Sequence, residues 1–182
     1  KHAAALRAAA EVRDGMVVGL GTGTTAALAI RALAARVAGG LRIQGIPTSR
    51  AAAALARRLG VPLTSFARHR RLDLTIDGAD QAERGTLNLI KGLGGALLRE
   101  KLVASASARM IVVIDQTKLV DRLGAATPLP VEITTFGWQV ALDRLAALGC
   151  APTLRRVAGH PFATDGGNRI ADCALAEIAD AA

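Results

Sequence analysis

Aromatic residues are nearly absent from this sequence. Its 182 residues include no tyrosine, one tryptophan and three phenylalanines, too few to build the stacking platforms on which many proteins hold unpaired bases. A net charge of +8 would attract polyanions, but the arginines are scattered and only Arg68–Arg71 form a tight cluster. We therefore expect no nucleic-acid partner, although a nucleic-acid-binding module resting on charge alone stays open as an alternative.

Cysteines and long apolar runs are also scarce. Cys150 and Cys173 lie far apart, with no C-x-x-C pair and no histidine spaced to complete a metal site. This pattern predicts two buried, reduced thiols and no bound metal. No apolar stretch approaches the length of a membrane span, and none resembles a signal peptide. These absences predict a cytoplasmic protein with no membrane partner. The chain begins at Lys1 and not at methionine, so we expect its start to be trimmed.

Apolar residues make up 51% of the chain, enough for one compact domain or one domain with a small lobe. Short β-rich runs alternate with longer helical patterns, which predicts an α/β fold with a mainly parallel sheet flanked by helices. Ser49 is placed to cap the second helix and Gly60 to end it. The predicted strands are Met16–Leu20, Leu41–Ile46, Leu72–Asp77 and Arg109–Asp115, and the predicted helices are Ala26–Gly40, Arg50–Leu59 and Gly94–Ala108.

The pattern changes near Leu129. A strand over Pro128–Ile133, a helix over Gly137–Gly149 and two further strands over Ala151–Val157 and Asn168–Leu175 predict a smaller α+β lobe. We therefore place a main domain at residues 1–128 and the lobe at residues 129–182.

The first candidate site segment is GLGTGTTA, Gly19–Ala26. Ligands of parallel sheets bind beyond the carboxyl ends of the strands, and these amides, together with Thr22, Thr24 and Thr25, could hold a phosphate at the helix N-terminus. The segment is neither GxGxxG nor GxxxxGK[ST], so NAD and ATP lose support as ligands. A glycine turn with a threonine cap is the structural alternative.

The second segment is TIDGADQ, Thr75–Gln81. Apolar residues alternate with polar ones through Ile76, so Asp77 falls where the third strand should end. Gly78 would turn the chain and allow Asp77 and Asp80 to face one pocket. Two aspartates that only form the turn are the alternative.

The third segment is NLIKGLGGALLREK, in which Lys91 precedes a glycine-rich turn and Glu100 lies on the following helix. A carboxylate on an apolar helix face must be paired or have its pKa raised, as expected of a general base that works near neutral pH. An ion pair with Lys101 or Arg99 at the helix edge is the alternative. Helical spacing puts Glu100 on the same face as Ala96, Leu97, Val103 and Ala104.

These segments together suit proton transfer beside the carbonyl of a phosphorylated small molecule. A base would move the proton, a cation or backbone amides would stabilise an enediolate, and an acid would handle the oxygen protons. Lys118, after the fourth strand, is a further candidate for contact with an anion. This chemistry requires neither a metal nor a redox cofactor.

Six ordered motifs resemble the ribose-5-phosphate isomerase, type A family: VGLGTGTTA, GIPTS, IDGAD, NLIKGLGGALLREK, PLPVEI and TDGGNRIADC. The resemblance implies a Rossmann-like main domain, a small α+β lobe, no cofactor, and a homodimer or homotetramer. It also implies the interconversion of D-ribose 5-phosphate and D-ribulose 5-phosphate, a step of the pentose phosphate pathway. By the same resemblance, the chain ends where the family continues into a further helix and a last strand.

The resemblance also assigns roles by position. Glu100 matches the family's proton-transferring base, Asp77 and Asp80 match the acids that contact the sugar hydroxyls, and Lys91 with the following turn matches the group that stabilises the enediolate. The implied substrate-binding positions are Lys1, Thr22, Gly23, Thr24, Thr25, Asp77, Gly78, Ala79, Asp80, Lys91, Gly92, Leu93, Gly94 and Lys118.

Three residues depart from the family pattern. Gln81 stands where the family usually has glutamate, Leu93 replaces a glycine of the turn, and Thr24 replaces a serine. A non-catalytic sugar-phosphate-sensing domain of a transcription regulator is the alternative function. Such a domain would keep the phosphate cradle without needing Glu100, Lys91 and both aspartates together.

Overall fold

The structure, a computed structural model, describes residues 1–181 as two compact units. The first comprises Lys1–Gly78 and Leu98–Asp115, and the second comprises Ala79–Leu97 and the chain from Gln116 onward. Residues 79–97 and 116–128 therefore group with the C-terminal part of the chain. The domain boundary expected from the sequence, between residues 128 and 129, stays a prediction.

Five α-helices and twelve strands are found in the described part of the chain. The helices are α1 His2–Ala10, α2 Thr24–Ala38, α3 Arg50–Arg58, α4 Leu97–Ser105 and α5 Trp138–Ala147, with a 3-10 turn at Gln116–Lys118. The strands are β1 Val17–Leu20, β2 Gln44–Pro47, β3 Leu74–Asp77, β4 Gln81–Glu83, β5 Leu89–Ile90, β6 Met110–Val112, β7 Leu119–Val120, β8 Leu129–Ile133, β9 Ala151–Leu154, β10 Arg156–Val157, β11 His160–Pro161 and β12 Arg169–Ala174.

The first unit is built on a parallel sheet with the order β2-β1-β3-β6, which confirms the predicted α/β class. The chain leaves β1 through α2 toward β2 on one side, and leaves β3 through α4 toward β6 on the other. The strand order thus reverses between β1 and β3. In sheets of this kind, ligands bind beyond the carboxyl ends of the two strands between which the order reverses. Here β1 ends at Leu20 and β3 ends at Asp77.

Helix α3 shows why local sequence could predict its ends. The Ser49 side chain accepts a hydrogen bond of 3.0 Å from the amide of Ala52, as an N-cap does. Gly60 follows the last turn with a φ of +76°, in the left-handed region that favours glycine. The predicted cap and the predicted end are both confirmed.

Helix α1, which the sequence did not predict, packs against α2 through alanines. Ala5, Ala8 and Ala9 are buried, and the Arg36 guanidinium on α2 donates a hydrogen bond of 2.8 Å to the Val12 carbonyl just after α1. Leu20, Ile30, Leu33, Leu74 and Ile76 are among the largest buried side chains of this core.

The second unit contains an antiparallel sheet with the order β8-β12-β9, on which α5 packs. Two of the family-like motifs meet here. Glu132, on β8 in PLPVEI, accepts hydrogen bonds at 2.9 Å from the Thr164 hydroxyl and at 3.0 Å from the Asn168 side chain, both in TDGGNRIADC. These two motifs therefore join the strands of this sheet.

The two cysteines are both free. Cys173 is buried as predicted, whereas Cys150 is only half-buried because it precedes β9 at the edge of the sheet. The prediction of two buried thiols is thus wrong for Cys150. Burial, followed by a hydrogen bond with the Cys150 side chain, raises the pKa of Cys173 to about 12.

No helix within residues 1–181 combines the length and the apolar composition that crossing a lipid bilayer requires. Over the same residues, no group of three or more histidine, cysteine, aspartate or glutamate side chains is arranged to hold a metal ion.

Candidate active site

The loop after β1 is tied to the end of β3 by the carboxylate of Asp77. Asp77 is fully buried, and its Oδ1 accepts hydrogen bonds from the amides of Thr22 at 3.0 Å and Gly78 at 2.8 Å. The Gly21 amide donates to the Ile76 carbonyl at 3.0 Å. Two of the predicted site segments therefore meet at the carboxyl ends of the central strands.

Glycine is required at Gly21 for this contact. A Cβ at that position would lie 2.2 Å from Asp77 Oδ1 and 2.6 Å from Asp77 Cα, far inside van der Waals contact. The absence of a side chain lets the loop approach the aspartate closely enough for the Thr22 amide to reach it.

Hydroxyl groups hold the same loop from its other side. The Thr22 hydroxyl is hydrogen-bonded to the hydroxyls of Thr48 at 2.7 Å and Ser49 at 2.8 Å, which come from the GIPTS motif after β2. Thr48 is fully buried and reaches the Leu20 carbonyl at 3.1 Å. The Thr22 side chain thus fixes the loop. The GIPTS motif belongs to the family pattern, but no local signal in the sequence indicates that Thr48 and Ser49 hold this loop.

The remaining residues of the loop lead into α2. Gly23 precedes the helix with a φ of +103°, and Gly23 and Thr24 are exposed while Thr25 is buried. Backbone amides at a helix start carry a partial positive charge that suits an anion, and here that start is formed by two exposed residues.

Glu100 lies in the first turn of α4 and is buried, with 6% of its surface exposed. Val103, one turn later, is buried as well, and its Cγ1 would lie 2.6 Å from a Cβ on Gly19 of β1. Because α4 returns the chain from the end of β3 to the start of β6, Glu100 lies on the carboxyl-end side of Val103. Three residues correspond to about 4.5 Å of helix, which brings Glu100 toward the end of the sheet that carries Asp77.

The N-terminal Lys1 belongs to the same unit. Its ammonium nitrogen forms an ion pair of 3.1 Å with Asp115 Oδ2, just beyond β6, and nearly half of the side chain is exposed. The other lysine implied to contact a phosphate, Lys118, ends the 3-10 turn and is half-buried in the second unit.

Asp80, Lys91 and the glycine turn all belong to the second unit. Asp80 Oδ2 accepts a hydrogen bond of 2.9 Å from the Leu93 amide, and the Asp80 amide donates to the Ile90 carbonyl at 2.8 Å. The aspartate therefore holds the turn that follows Lys91. Asp77 lies in the first unit, so the structure describes the two aspartates in separate settings.

Two departures from the family pattern have a local explanation in this unit. Gln81 is 3% exposed, and its Oε1 accepts a hydrogen bond of 2.9 Å from the Gly124 amide, so a neutral side chain meets a backbone donor there. Leu93 keeps a φ outside the left-handed region and exposes 40% of its surface. A side chain is accommodated at Leu93 because it points away from the packed part of the unit.

The fold and these residues define an α/β protein with polar groups gathered where the strand order of a parallel sheet reverses. A family model described as ribose 5-phosphate isomerase A (phosphoriboisomerase A) matches residues 44–182. The chain belongs to this family, as its motifs indicated.

Individual relatives agree with the family model. Ribose-5-phosphate isomerase A of Gluconobacter oxydans is 55% identical over 180 residues, which is 98% of this chain and 78% of that protein. A ribose 5-phosphate isomerase A structure from Methanocaldococcus jannaschii superimposes with a TM-score of 0.94 at 39% identity, over 98% of this chain and 80% of that one. A D-ribose-5-phosphate isomerase in complex with phospho-erythronic acid gives a TM-score of 0.93 at 36% identity, with the same coverage.

Proposed function

We propose that this chain interconverts D-ribose 5-phosphate and D-ribulose 5-phosphate by proton transfer through an enediolate. The observation that carries the proposal is the burial of two carboxylates, Asp77 at 0% and Glu100 at 6% exposure, in the unit whose sheet reverses its strand order. Burying ionisable side chains is costly, and such side chains are frequent where acid–base chemistry is done. Family membership then narrows the chemistry to that of an aldose–ketose isomerase.

In the proposed reaction, Glu100 takes the proton from C2 of the open-chain aldose. The electron pair of that C–H bond forms the C1–C2 double bond, and the aldehyde oxygen becomes the enediolate oxygen. Return of the proton to C1, with transfer of the hydroxyl proton from O2 to O1, gives the ketose. A carboxylate is suited to this transfer because it can take the proton from C2 and deliver a proton to C1 of the same bound intermediate.

The other residues are proposed to bind and polarise the substrate. Asp77 and Asp80 would contact sugar hydroxyls, and one of them would assist ring opening. Lys91 and the turn Gly92–Gly94 would stabilise the enediolate oxygen through a positive charge and backbone amides.

The phosphate is proposed to lie at the start of α2. The backbone amides of Gly23 and Thr24 and the positive end of the helix dipole would bind its oxygens. Thr22 and Thr25 would shape this loop, while Lys1 and Lys118 would add positive charge. Gly78, Ala79 and Leu93 complete the proposed substrate-binding backbone.

We further propose that the protein acts in the cytoplasm as a homodimer or homotetramer and needs no metal. Light scattering on the purified protein measures the mass in solution. A monomer at working concentration would contradict the proposed assembly.

The test of the function is conversion of ribose 5-phosphate by the purified protein in EDTA, run in D2O. We expect turnover without added metal and deuterium from solvent at C1 of the ribulose 5-phosphate formed. Tight binding of phospho-erythronic acid without any turnover would contradict the isomerase function and support the non-catalytic sugar-phosphate sensor instead.

A further inference from the structure

The turn after Lys91 is rich in glycine and therefore needs to be held from outside. Gly92 has a φ of +111° and Gly95 a φ of +80°, and the Gly95 amide donates to the Gly92 carbonyl at 3.0 Å. Glycine loses more backbone freedom on folding than any other residue. A single internal hydrogen bond is a weak restraint on such a segment, so other contacts must select its conformation.

Arg155, just beyond β9, supplies those contacts. Its Nη1 donates hydrogen bonds to the Gly92 carbonyl at 3.2 Å and to the Leu93 carbonyl at 2.9 Å. One guanidinium nitrogen thus holds two consecutive carbonyl groups of the turn.

This contact fixes the direction of the amides on the opposite side of the turn. In a planar trans peptide the N–H points away from the preceding C=O. Because the Gly92 carbonyl is directed at Arg155, the Leu93 N–H points away from Arg155. It donates a hydrogen bond of 2.9 Å to Asp80 Oδ2. By the same geometry, the Leu93 carbonyl turns the Gly94 N–H away from Arg155.

The guanidinium is itself held rigidly within the second unit. Its Nε donates to Asp172 Oδ2 at 2.8 Å and its Nη2 donates to Asp172 Oδ1, a two-pronged ion pair to β12. Its Cζ lies 5.9 Å from the centroid of the Phe162 ring, and only 13% of the Arg155 side chain is exposed. Phe162 also lies against Gly95, where a Cβ would come within 2.6 Å of the ring.

We propose that Arg155 is a positioning residue for the isomerase reaction: it orients the Leu93–Gly94 peptide plane so that the Gly94 amide faces the developing enediolate, while the Gly92–Leu93 peptide is held between Arg155 and Asp80. The inference rests on the proposed function, because it assigns the turn to stabilisation of that intermediate. Asp172 and Phe162 serve the reaction indirectly, by holding the guanidinium in place.

The variant Arg155→Lys distinguishes a positioning role of Arg155 from a purely structural role of its ion pair with Asp172. Lysine keeps the charge and can reach Asp172, but it has no planar fork that also reaches two carbonyls. If Arg155 only balances the charge of Asp172, Arg155→Lys will behave like the wild type. If Arg155 orients the turn, Arg155→Lys will lose activity nearly as much as Arg155→Met.

The test measures kcat and KM for ribose 5-phosphate in both variants, well below their unfolding temperatures. We expect kcat to fall at least about tenfold with KM changed less than about threefold, because a misdirected amide weakens binding of the transition state more than of the substrate. Arg156→Met is the matched control, since the neighbouring Arg156 is exposed and its side chain donates to the Gly159 carbonyl of its own hairpin. Wild-type kcat in Arg155→Lys would overturn the proposal.

Hydrogen exchange gives a second readout that does not depend on activity. Amides of residues 92–95 should exchange at least about tenfold faster in Arg155→Lys than in Arg156→Met, since the restraint on the turn is lost. Unchanged exchange at these amides would overturn the inference, whatever the activity of the variant. An inactive wild type with faster exchange in Arg155→Lys would instead contradict the proposed function while leaving the holding of the turn intact. If Arg155→Met does not fold, Asp172→Asn replaces it, since that change keeps the side-chain shape and loosens the guanidinium.

Discussion

Gly21→Ala is the sharpest perturbation of the close approach between the β1 loop and Asp77. The new Cβ would lie 2.2 Å from Asp77 Oδ1 and 2.6 Å from Asp77 Cα, whereas non-bonded heavy atoms prefer about 3.5 Å or more. The carboxylate or the loop must therefore move by about 1 Å. Such a shift breaks the 3.0 Å hydrogen bond from the Thr22 amide to Asp77.

Overpacking costs about 1–3 kcal/mol, and a lost hydrogen bond to a charged group costs about 1.5–3 kcal/mol. The two overlap, so we expect a loss of about 3 kcal/mol in the free energy of unfolding. For a chain of this size that lowers the thermal midpoint by about 6–12 °C. Displacing Asp77 by about 1 Å should also lower kcat about 100-fold.

Calorimetry and the isomerase assay measure these two effects, with Gly39→Ala as the matched control. Gly39 has a φ of −85°, and a Cβ there would have its nearest neighbour at 3.4 Å, so a change within about 0.5 kcal/mol is expected. If Gly21→Ala is as stable and as active as Gly39→Ala, the close approach at Asp77 is needed neither for stability nor for activity.

Three further predictions concern sites away from this loop. Gln81→Leu should lower the free energy of unfolding, measured in urea, by about 1–3 kcal/mol because the Gly124 amide loses its acceptor. Gln116→Leu, at an exposed position, should change it little, and equal stabilities of the two variants would contradict a role for the buried hydrogen bond. Iodoacetamide at pH 8 should label Cys150 before Cys173, as followed by mass spectrometry, because burial raises the pKa of Cys173 to about 12 and only the thiolate reacts. Equally fast labelling of Cys173 would contradict this order. A hydrogen bond of 2.8 Å from the Arg42 amide and, second, one from the Arg42 guanidinium lower the pKa of Asp14. This contact therefore stabilises the fold at pH values above the ordinary carboxyl pKa, and the stabilisation is lost as the pH falls through the lowered pKa. An NMR titration of Arg42→Met should show the pKa of Asp14 rising partway, and an unchanged pKa would exclude the guanidinium as a cause.

The parallel sheet could be predicted because its strands and helices have strong local patterns. Val17–Leu20 is a short apolar run before a glycine loop, and α3 has both a serine cap and a terminal glycine. Asp77 and Glu100 could be chosen as candidates because strand alternation and helical spacing place them at a strand end and on an apolar face. In each case neighbouring residues carry the information.

Features that depend on distant residues were not predictable. Helix α1 was missed because His2–Ala10 consists mostly of alanine, which marks no distinct apolar face. The β4, β5 and β7 strands are only two or three residues long and exist because they pair with each other. Arg155 reaches Gly92 from 63 positions away in the chain, and no local pattern distinguishes it from Arg156.

The turnover of Glu100→Gln tests the central claim most directly. The substitution keeps the shape of the side chain but removes the base, so we expect kcat to fall about 1,000-fold or more, with KM for ribose 5-phosphate nearly unchanged. Glu177→Gln, at an exposed glutamate, should retain wild-type kcat. A Glu100→Gln enzyme that turns over at a rate near the wild type would show that Glu100 does not move the proton.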